Sequence, residues 1–277
     1  MKNVVSLLLS GLSQYVGASI AVGLFVTVSG IGVGWGRIFF AAIFLLLWRR
    51  PWSYPHKWQA FGFGLALGAM NPLFYLSIER IPLGTAVALE FLGPVVLAAL
   101  ARTRRTTIAI GFAILGVFLI SWIGLDYTKP GVTAGIILAL AAGVAWAIYM
   151  FLASKLAGKP GNVDGLAIGM AGAAIVYSPL AIGELLDASP DWSFWLTLAG
   201  VAFLSSVVPY VIDQLVLREV PAAIFAILNS ILPAMSMVVG MVMLSQVPSA
   251  GEFAGLVSIS IAVLIATYRP KGTTSPQ

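Results

Sequence analysis

Three ionisable residues lie inside long apolar stretches of the chain: Arg37, Glu90 and Asp213. Each costs about 2.5–3.5 kcal/mol at the centre of a membrane helix if it is charged, so each is a candidate functional group. Glu90 lies eight residues into its stretch, or about 12 Å deep at helical rise, close to the bilayer midplane. We therefore expect Glu90 to contact a substrate or to take up and release a proton. The alternative is a permanently protonated, structural carboxyl group bonded to a neighbouring helix.

The other two charges lie closer to the ends of their stretches. Asp213 is five residues before Arg218, or about 7–8 Å from the helix end, where it can form a gate, an ion pair with a basic loop or a substrate contact. Arg37 is seven residues past Gly30, and we expect its guanidinium to extend to the outer headgroups. The alternative for Arg37 is contact with a substrate carboxylate or with Glu90.

Uncharged polar side chains at similar depth complete a predicted substrate site. Amide, phenol and indole groups of this kind suit a small zwitterion whose ammonium group lies over an aromatic ring. For each aromatic residue alone, packing or an interface belt is the competing explanation. The predicted substrate-binding residues are Glu90 with Gln14, Asn71, Tyr75, Trp146, Tyr149, Gln214 and Asn229. Glu90 and Asp213 are the predicted proton-coupling residues.

The composition indicates the class of protein. Apolar residues make up 60% of the 277 residues and charged residues only 9%, a balance that no soluble core of this size uses. Hydropathy predicts an all-α, polytopic membrane protein with ten transmembrane helices. The predicted spans are Val4–Val28, Ile31–Trp48, Trp58–Ile78, Leu83–Ala101, Thr106–Leu125, Gly131–Ala153, Leu166–Leu186, Phe194–Leu217, Ala222–Leu244 and Phe253–Tyr268.

Basic residues predict how the spans are oriented. If the N-terminus is cytoplasmic, twelve Lys and Arg residues lie in inside loops and only two, Arg80 and Lys129, in outside loops. This bias predicts a bacterial-type inner-membrane protein with both termini cytoplasmic. Topology thus explains the net charge of +5, and we expect no nucleic-acid partner.

The first five spans resemble the last five. Pro82 and Pro221 open the fourth and ninth spans, and Pro94 and Pro233 follow twelve residues later in each. A proline inside a helix frees a carbonyl and bends the helix, so Pro94 and Pro233 are predicted kinks. Because each half has an odd number of spans, the halves must be inverted, with a cavity where they meet. The predicted units are residues 1–125, a connecting loop 126–130, residues 131–268 and a cytoplasmic tail 269–277.

Several motifs carry a resemblance to a known family. They are Met70-Asn71 with LFYLSI (Leu73–Ile78), IPLGTAVALEF (Ile81–Phe91), Gly93-Pro94, AWAIY (Ala145–Tyr149), and Pro209-Tyr210 with Asp213. With these motifs in both halves, the chain resembles the EamA branch of the drug/metabolite transporter superfamily. Within that branch it is most similar to the threonine/homoserine exporter (RhtA-like) group.

The resemblance implies ten helices in a five-plus-five inverted repeat, a central cavity lined mainly by six of them, and efflux of small metabolites. Two positions depart from the group. Leu232-Pro233 stands where the group has Glu-Pro, and Ser245-Gln246 where it has Gly-Glu. These departures leave the superfamily unchanged and bear on the exact substrate.

Other classes of protein have less support. The chain has no Cys and a single His, His56, so we expect no enzyme, no cofactor and no metal site. Gly17-Ala18-Ser19 superficially resembles an intramembrane serine-protease site, but no His lies in a span to act as base. A membrane scaffold or sensor remains an alternative. A channel is disfavoured because no ring of polar residues recurs along one helix face.

We therefore expect a monomeric secondary carrier that exports small neutral amino acids, threonine-like or homoserine-like, or related metabolites by alternating access. The alternative within transporters is export of an aromatic amino acid, a nucleotide precursor or a cationic drug. Proton antiport is the expected energy source, because the chain has no Walker-type loop and has a midplane carboxylate. The expected partners are the small-molecule substrate, membrane lipid and protons.

Overall fold

The structure is a computed structural model that describes residues 2–93, 95, 104–157, 161–219, 229 and 231–267. Three predicted features lie outside these residues: the kink at Pro94, the helix start at Pro221 and the tail 269–277. Within the described part the chain is all-helical, without strands.

Ten helices contain most of the described residues, and Leu92, Gly93, Val95 and Asn229 are helical outside them. The ten helices are α1 Lys2–Val22, α2 Gly30–Arg49, α3 Lys57–Ile78, α4 Leu83–Glu90, α5 Arg104–Phe118, α6 Val132–Ala157, α7 Asn162–Ala188, α8, α9 Leu232–Leu244 and α10 Ala250–Thr267. Helix α8 is continuous from Trp192–Ala202 through a π-helical turn, Phe203–Val207, into Val208–Glu219. A 3-10 turn, Gly23–Val26, follows α1, and a second π-helical turn, Leu119–Gly124, follows α5.

Six helical stretches are long and apolar enough to cross a bilayer. They are Val5–Val26, Gly30–Arg49, Lys57–Ile78, Val132–Ala153, Asn162–Ala188 and Trp192–Val216. Three shorter apolar helices are Thr107–Phe118, Leu232–Leu244 and Ala250–Ile265. The six long stretches coincide with predicted spans one to three and six to eight, and the count of ten spans stays a prediction.

Side chains in the loops fix where two of the long helices begin. Ser29 Oγ accepts from the Ile31 N–H at 3.3 Å at the start of α2. Asp191 accepts from the Phe194 N–H at 2.9 Å at the start of α8. Both satisfy a backbone donor that the first turn of a helix leaves unpaired. The same bond from Phe194 lowers the pKa of the Asp191 carboxyl, with a second contribution from Ser193.

Small residues allow the closest helix contacts. A Cβ built on Gly169 of α7 would lie 2.7 Å from the Ala60 carbonyl oxygen and 3.0 Å from Gly64 Cα, both in α3. A Cβ on Gly34 of α2 would lie 2.9 Å from Pro72 Cα. Backbones can therefore approach closely where α3 meets α2 and α7, as is common in membrane bundles.

The helix pairs define where the interior lies. Helix α1 packs against α8 and α9, α3 against α6 and α7, and α4 against α6 and α9. Helix α2 packs against α3, α7 and α8, and α5 packs against α10. As a result, α2, α3, α4 and α8 bring polar side chains into one buried region.

Candidate functional site

Five polar side chains from four helices are buried in this region. They are Arg37 of α2, Asn71 and Tyr75 of α3, Glu90 of α4 and Tyr210 of α8. We call these five residues the polar cluster. Buried polar groups in an apolar bundle are costly unless they bond to one another or to a ligand, so the polar cluster is the candidate site.

Arg37 is at the centre of the polar cluster, and the expectation that it extends to the outer headgroups was wrong. Only 2% of its surface is exposed. Its Nε donates to Ser206 Oγ at 2.5 Å, and its Nη2 donates to the Ser205 carbonyl. Both acceptors belong to the π-helical turn of α8, a local structure that is frequent at functional sites. Because α8 supplies these acceptors inside the bundle, the guanidinium is bonded without reaching the headgroups.

Two tyrosines flank the same guanidinium. Arg37 Nη1 donates to the Tyr75 hydroxyl at 3.3 Å, and Nη2 donates to the Tyr210 hydroxyl at 3.4 Å. The guanidinium carbon lies 5.3 Å from the Tyr75 ring centroid and 5.9 Å from that of Tyr210. Arg37 thus links α2 to α3 and α8 by hydrogen bonds and by cation–π contacts.

The charge of Arg37 has no direct ion-pair partner among the described residues. The ion pairs within 4.0 Å among the described residues include Arg49–Asp164 and Arg80–Glu79, and neither of these involves Arg37. The carboxyl group that interacts electrostatically with Arg37 is that of Glu90. The polar cluster therefore holds one cation and one ionisable acid that do not touch.

Asn71 leaves one buried acceptor unpaired. Its Nδ2 donates to the Leu67 carbonyl at 2.8 Å, and its amide also interacts with the Tyr210 hydroxyl. Its Oδ1 has no hydrogen-bond partner in the described structure, although Asn71 is only 1% exposed. An orphan buried acceptor of this kind indicates a position for a donor from a ligand.

Glu90 is the last residue of α4, because the helix is interrupted by a turn at Phe91. Pro94 follows four residues later, and a proline cannot donate to the carbonyl four residues before it. The Glu90 carbonyl oxygen lies against α6, where a Cβ on Gly143 would be 2.6 Å from it. Glu90 therefore lies at a helix break that α6 accommodates by having a glycine at this position.

The second half of the chain has a matching interruption. Asn229 is helical and buried, Ile231 is a turn residue, and Pro233 lies in the first turn of α9. Asn229 is four residues before Pro233, as Glu90 is before Pro94. In the described residues, Pro233 begins a helix rather than bending the middle of one, and its role as a kink stays a prediction. Paired interruptions at corresponding positions of two halves are typical of transporter binding sites.

Other predicted site residues line the side of the polar cluster towards the C-terminal end of α8. Ser10 Oγ of α1 donates to Asp213 Oδ1 at 3.2 Å. The Tyr149 ring lies 6.3 Å from the Tyr210 ring, and the Tyr149 hydroxyl bonds to the Gln214 side chain. Asp213, Tyr149 and Gln214 thus adjoin the polar cluster without belonging to it.

The two remaining predicted residues differ in placement. The Trp146 ring packs on Phe91, next to the break in α4, with 4.5 Å between the ring centroids. Gln14 is half-buried on α1 and takes part in none of the contacts described above. The neighbouring Tyr15, which was not predicted, is buried and interacts electrostatically with Glu90.

Sequence analysis also missed Tyr210, Ser205 and Ser206 as partners of Arg37. The available signal was the pair of adjacent serines in an apolar span, which offers acceptors for a buried cation. Depth along a single helix cannot show that these serines face α2.

Comparison with known proteins gives consistent results. Residues 133–268 match the model of the EamA-like transporter family. The chain is 34% identical over 256 residues to the threonine/homoserine exporter RhtA of Salmonella typhimurium (strain SL1344), covering 91% of this chain and 86% of that protein. It is 35% identical over 248 residues to the threonine/homoserine exporter RhtA of Escherichia coli (strain K12), covering 88% and 83%.

A solved crystal structure has a similar fold. It superimposes with a TM-score of 0.55 at 16% sequence identity, covering 93% of this chain and 96% of the other. At this identity the likeness concerns the fold alone.

Proposed function

The chain belongs to the EamA-like transporter family, and on this premise we propose that it exports small neutral amino acids, threonine-like or homoserine-like. The observation that carries the proposal is the polar cluster, which combines a buried cation, a buried acid and an unpaired amide oxygen between apolar helices. A small zwitterion presents one anionic and one cationic group, so it complements a site with this set of charges. The relatives named as threonine/homoserine exporters support the same substrate class.

Alternating access requires two similar halves around the site, and the helix pairing supports a five-plus-five inverted repeat. In such a repeat, α1 corresponds to α6, α2 to α7, α3 to α8, α4 to α9 and α5 to α10. Under this correspondence the observed pair α3–α6 matches the observed pair α8–α1, and α4–α6 matches α9–α1. The pairs α2–α7, α4–α9 and α5–α10 are unchanged by this correspondence. We therefore propose a multi-pass inner-membrane carrier, monomeric and with both termini cytoplasmic, whose halves move about the polar cluster.

Counterflow measures the substrate directly. The purified protein is reconstituted into liposomes loaded with unlabelled threonine, and uptake of labelled threonine or homoserine is followed with and without competitors. We expect exchange of both compounds and inhibition by other small neutral amino acids. Protein-free liposomes and the variant Tyr177→Phe, whose hydroxyl bonds to the Leu65 carbonyl away from the polar cluster, serve as controls.

The competitor panel also tests the alternative substrates. It contains an aromatic amino acid, a nucleotide precursor and a cationic drug. Exchange of one of these compounds in the absence of threonine and homoserine exchange would show that the substrate class is wrong while the carrier mechanism holds. Lack of exchange of any compound would favour a scaffold or sensor.

We also propose that proton antiport drives export, with Glu90 as the coupling residue and Asp213 as the second candidate. Glu90→Gln keeps the size of the side chain and removes its titration, so it should abolish uphill, pH-gradient-driven flux and retain some exchange. A structural, protonated Glu90 would tolerate the same change. If Glu90→Gln transports uphill as well as the unmodified protein and Asp213→Asn does not, the coupling residue is Asp213 in α8.

A further inference from the structure

We propose that the hydroxyl groups of Tyr75 and Tyr210, held by Arg37, bind the carboxylate of the substrate, and that Glu90 and Asn71 bind its ammonium group. This inference rests on the proposed export of neutral amino acids and assigns the two charged ends of the substrate within the polar cluster.

The hydrogen-bond chemistry of the two tyrosines carries the first half of the proposal. A tyrosine hydroxyl can accept and donate at the same time. Arg37 donates to both hydroxyls, at 3.3 Å and 3.4 Å, and thereby leaves the proton of each for a second partner. An O–H that accepts from a cation is polarised towards donation, so the pair offers two strengthened donors to an anion.

Four of the five N–H donors of Arg37 are already bonded, which favours the tyrosines over the guanidinium for this contact. Its Nε and one Nη2 donor are already bonded to the π-helical turn of α8. Of the three remaining N–H groups, one on Nη1 bonds to Tyr75 and one on Nη2 bonds to Tyr210, and the rings of both tyrosines flank the guanidinium. Arg37 is therefore a positioning residue that supplies positive potential through the two hydroxyls.

Charge balance explains why an anion belongs beside them. A buried cation without an ion pair is strongly disfavoured, and within the described structure Arg37 has no carboxylate at ion-pair distance. A substrate carboxylate bonded to both tyrosine hydroxyls would be separated from the guanidinium only by these hydroxyls. Its negative charge would compensate the positive charge of Arg37. The buried positive charge of Arg37 therefore favours binding of a carboxylate.

Two acceptor groups of the polar cluster suit an ammonium group. Asn71 Oδ1 is buried and unpaired among the described residues, and an ammonium group has three donors and no acceptor. The Glu90 carboxyl group at the break in α4 supplies a negative charge when it is ionised. Asn71 interacts with Tyr210 as well, so the two ends of the site adjoin, as the short spacing of an α-amino acid requires.

Three ligands separate the two ends in a binding assay on the purified full-length protein. They are threonine, its methyl ester, which lacks the carboxylate, and 2,3-dihydroxybutanoate, which has a hydroxyl in place of the ammonium group. Dissociation constants come from ligand-induced thermal stabilisation. We expect threonine to bind at least about tenfold tighter than either analogue, which corresponds to one hydrogen bond to a charged group.

The variants should change selectivity in opposite directions. Tyr75→Phe, Tyr210→Phe and Arg37→Lys should weaken threonine about tenfold and leave the ester unchanged, so that the ratio of acid to ester affinity approaches one. Glu90→Gln should weaken threonine and the ester and leave 2,3-dihydroxybutanoate unchanged. The control Tyr177→Phe removes a hydroxyl that bonds to the Leu65 carbonyl at 3.0 Å and should keep the normal ratio.

Equal binding of threonine and its ester to the unmodified protein would overturn the assignment, as would an unchanged ratio in both tyrosine variants. Lack of binding by all three ligands would overturn it as well. If the binding assay gives the expected affinity ratios but liposomes show no counterflow of threonine or homoserine, the assignment of the two ends is supported. Export of these amino acids is then contradicted. The two proposals therefore fail in distinguishable ways.

Discussion

The contact between α3 and α7 at Gly169 gives a direct test of the fold. A Cβ at this position would lie 2.7 Å from the Ala60 carbonyl oxygen, whereas ordinary contacts begin at 3.4 Å. Because the obstructing atoms are backbone, Gly169→Ala must separate the helices by about 0.7 Å, which forfeits a quarter to a half of the dispersion energy across the contact. Overpacking of this kind costs about 1–3 kcal/mol, and the better helix propensity of alanine offsets up to about 1 kcal/mol.

Relative to a Gly→Ala change in the same helix without the clash, the loss of about 1–3 kcal/mol corresponds to a Tm lower by roughly 2–12 °C on the scale of soluble domains. Thermal unfolding of the detergent-purified protein measures it. Gly183→Ala is the matched control, since it lies in the same helix and a Cβ there would meet no described atom within 4 Å. That variant should be as stable as the unmodified protein or slightly more stable. Equal Tm values for the two variants would refute the packing of α7 on α3 at this position.

Three further predictions concern topology, the helix ends and the break in α4. A reporter should be active only as a cytoplasmic fusion after Arg105 or Lys159 and only as a periplasmic fusion after Asp126 or Asp187; an exchange between these sets would contradict the inverted repeat. Thr85→Val removes the 2.6 Å hydrogen bond to Glu252 and should lower the free energy of unfolding by about 0.6–1.7 kcal/mol. Thermal unfolding measures the change, and an unchanged Tm would argue against that bond. Gly143→Ala places a Cβ 2.6 Å from the Glu90 carbonyl oxygen and should reduce counterflow about tenfold or more through misplacement of Glu90; full counterflow would show that α6 does not support the break.

The positions of six spans were predictable, because crossing a bilayer requires about 20 apolar residues in one helix. The second span was predicted as Ile31–Trp48, and α2 is Gly30–Arg49. The fourth span was predicted as Leu83–Ala101 with a kink at Pro94; the helix that begins at Leu83 ends at Glu90, and Leu92 and Gly93 are helical again after the turn at Phe91. The signal for this end was present, because Pro94 deprives the Glu90 carbonyl of its helical donor.

The environment of Arg37 could not be derived from sequence in the same way. Snorkelling was inferred from the distance to the end of its own helix, and that distance says nothing about the neighbouring helices. Its acceptors in α8, Ser205 and Ser206, are 168 and 169 residues away in the chain. The burial of Glu90 and Asn71 could be predicted because a polar residue within an apolar span is a local property of the sequence, whereas the link through Arg37 is a property of the packed bundle.

The early end of α4 has an electrostatic consequence. A carbonyl oxygen that has lost its helical N–H donor keeps an unpaired partial negative charge. Helix α4 is interrupted at Phe91 inside the bundle and the chain is helical again at Leu92 and Gly93, so the interruption leaves the Glu90 carbonyl oxygen without its helical donor at a buried residue, where water screens the partial charge poorly. Even with an uncharged side chain at residue 90, the end of α4 would therefore attract cationic groups and repel anionic ones.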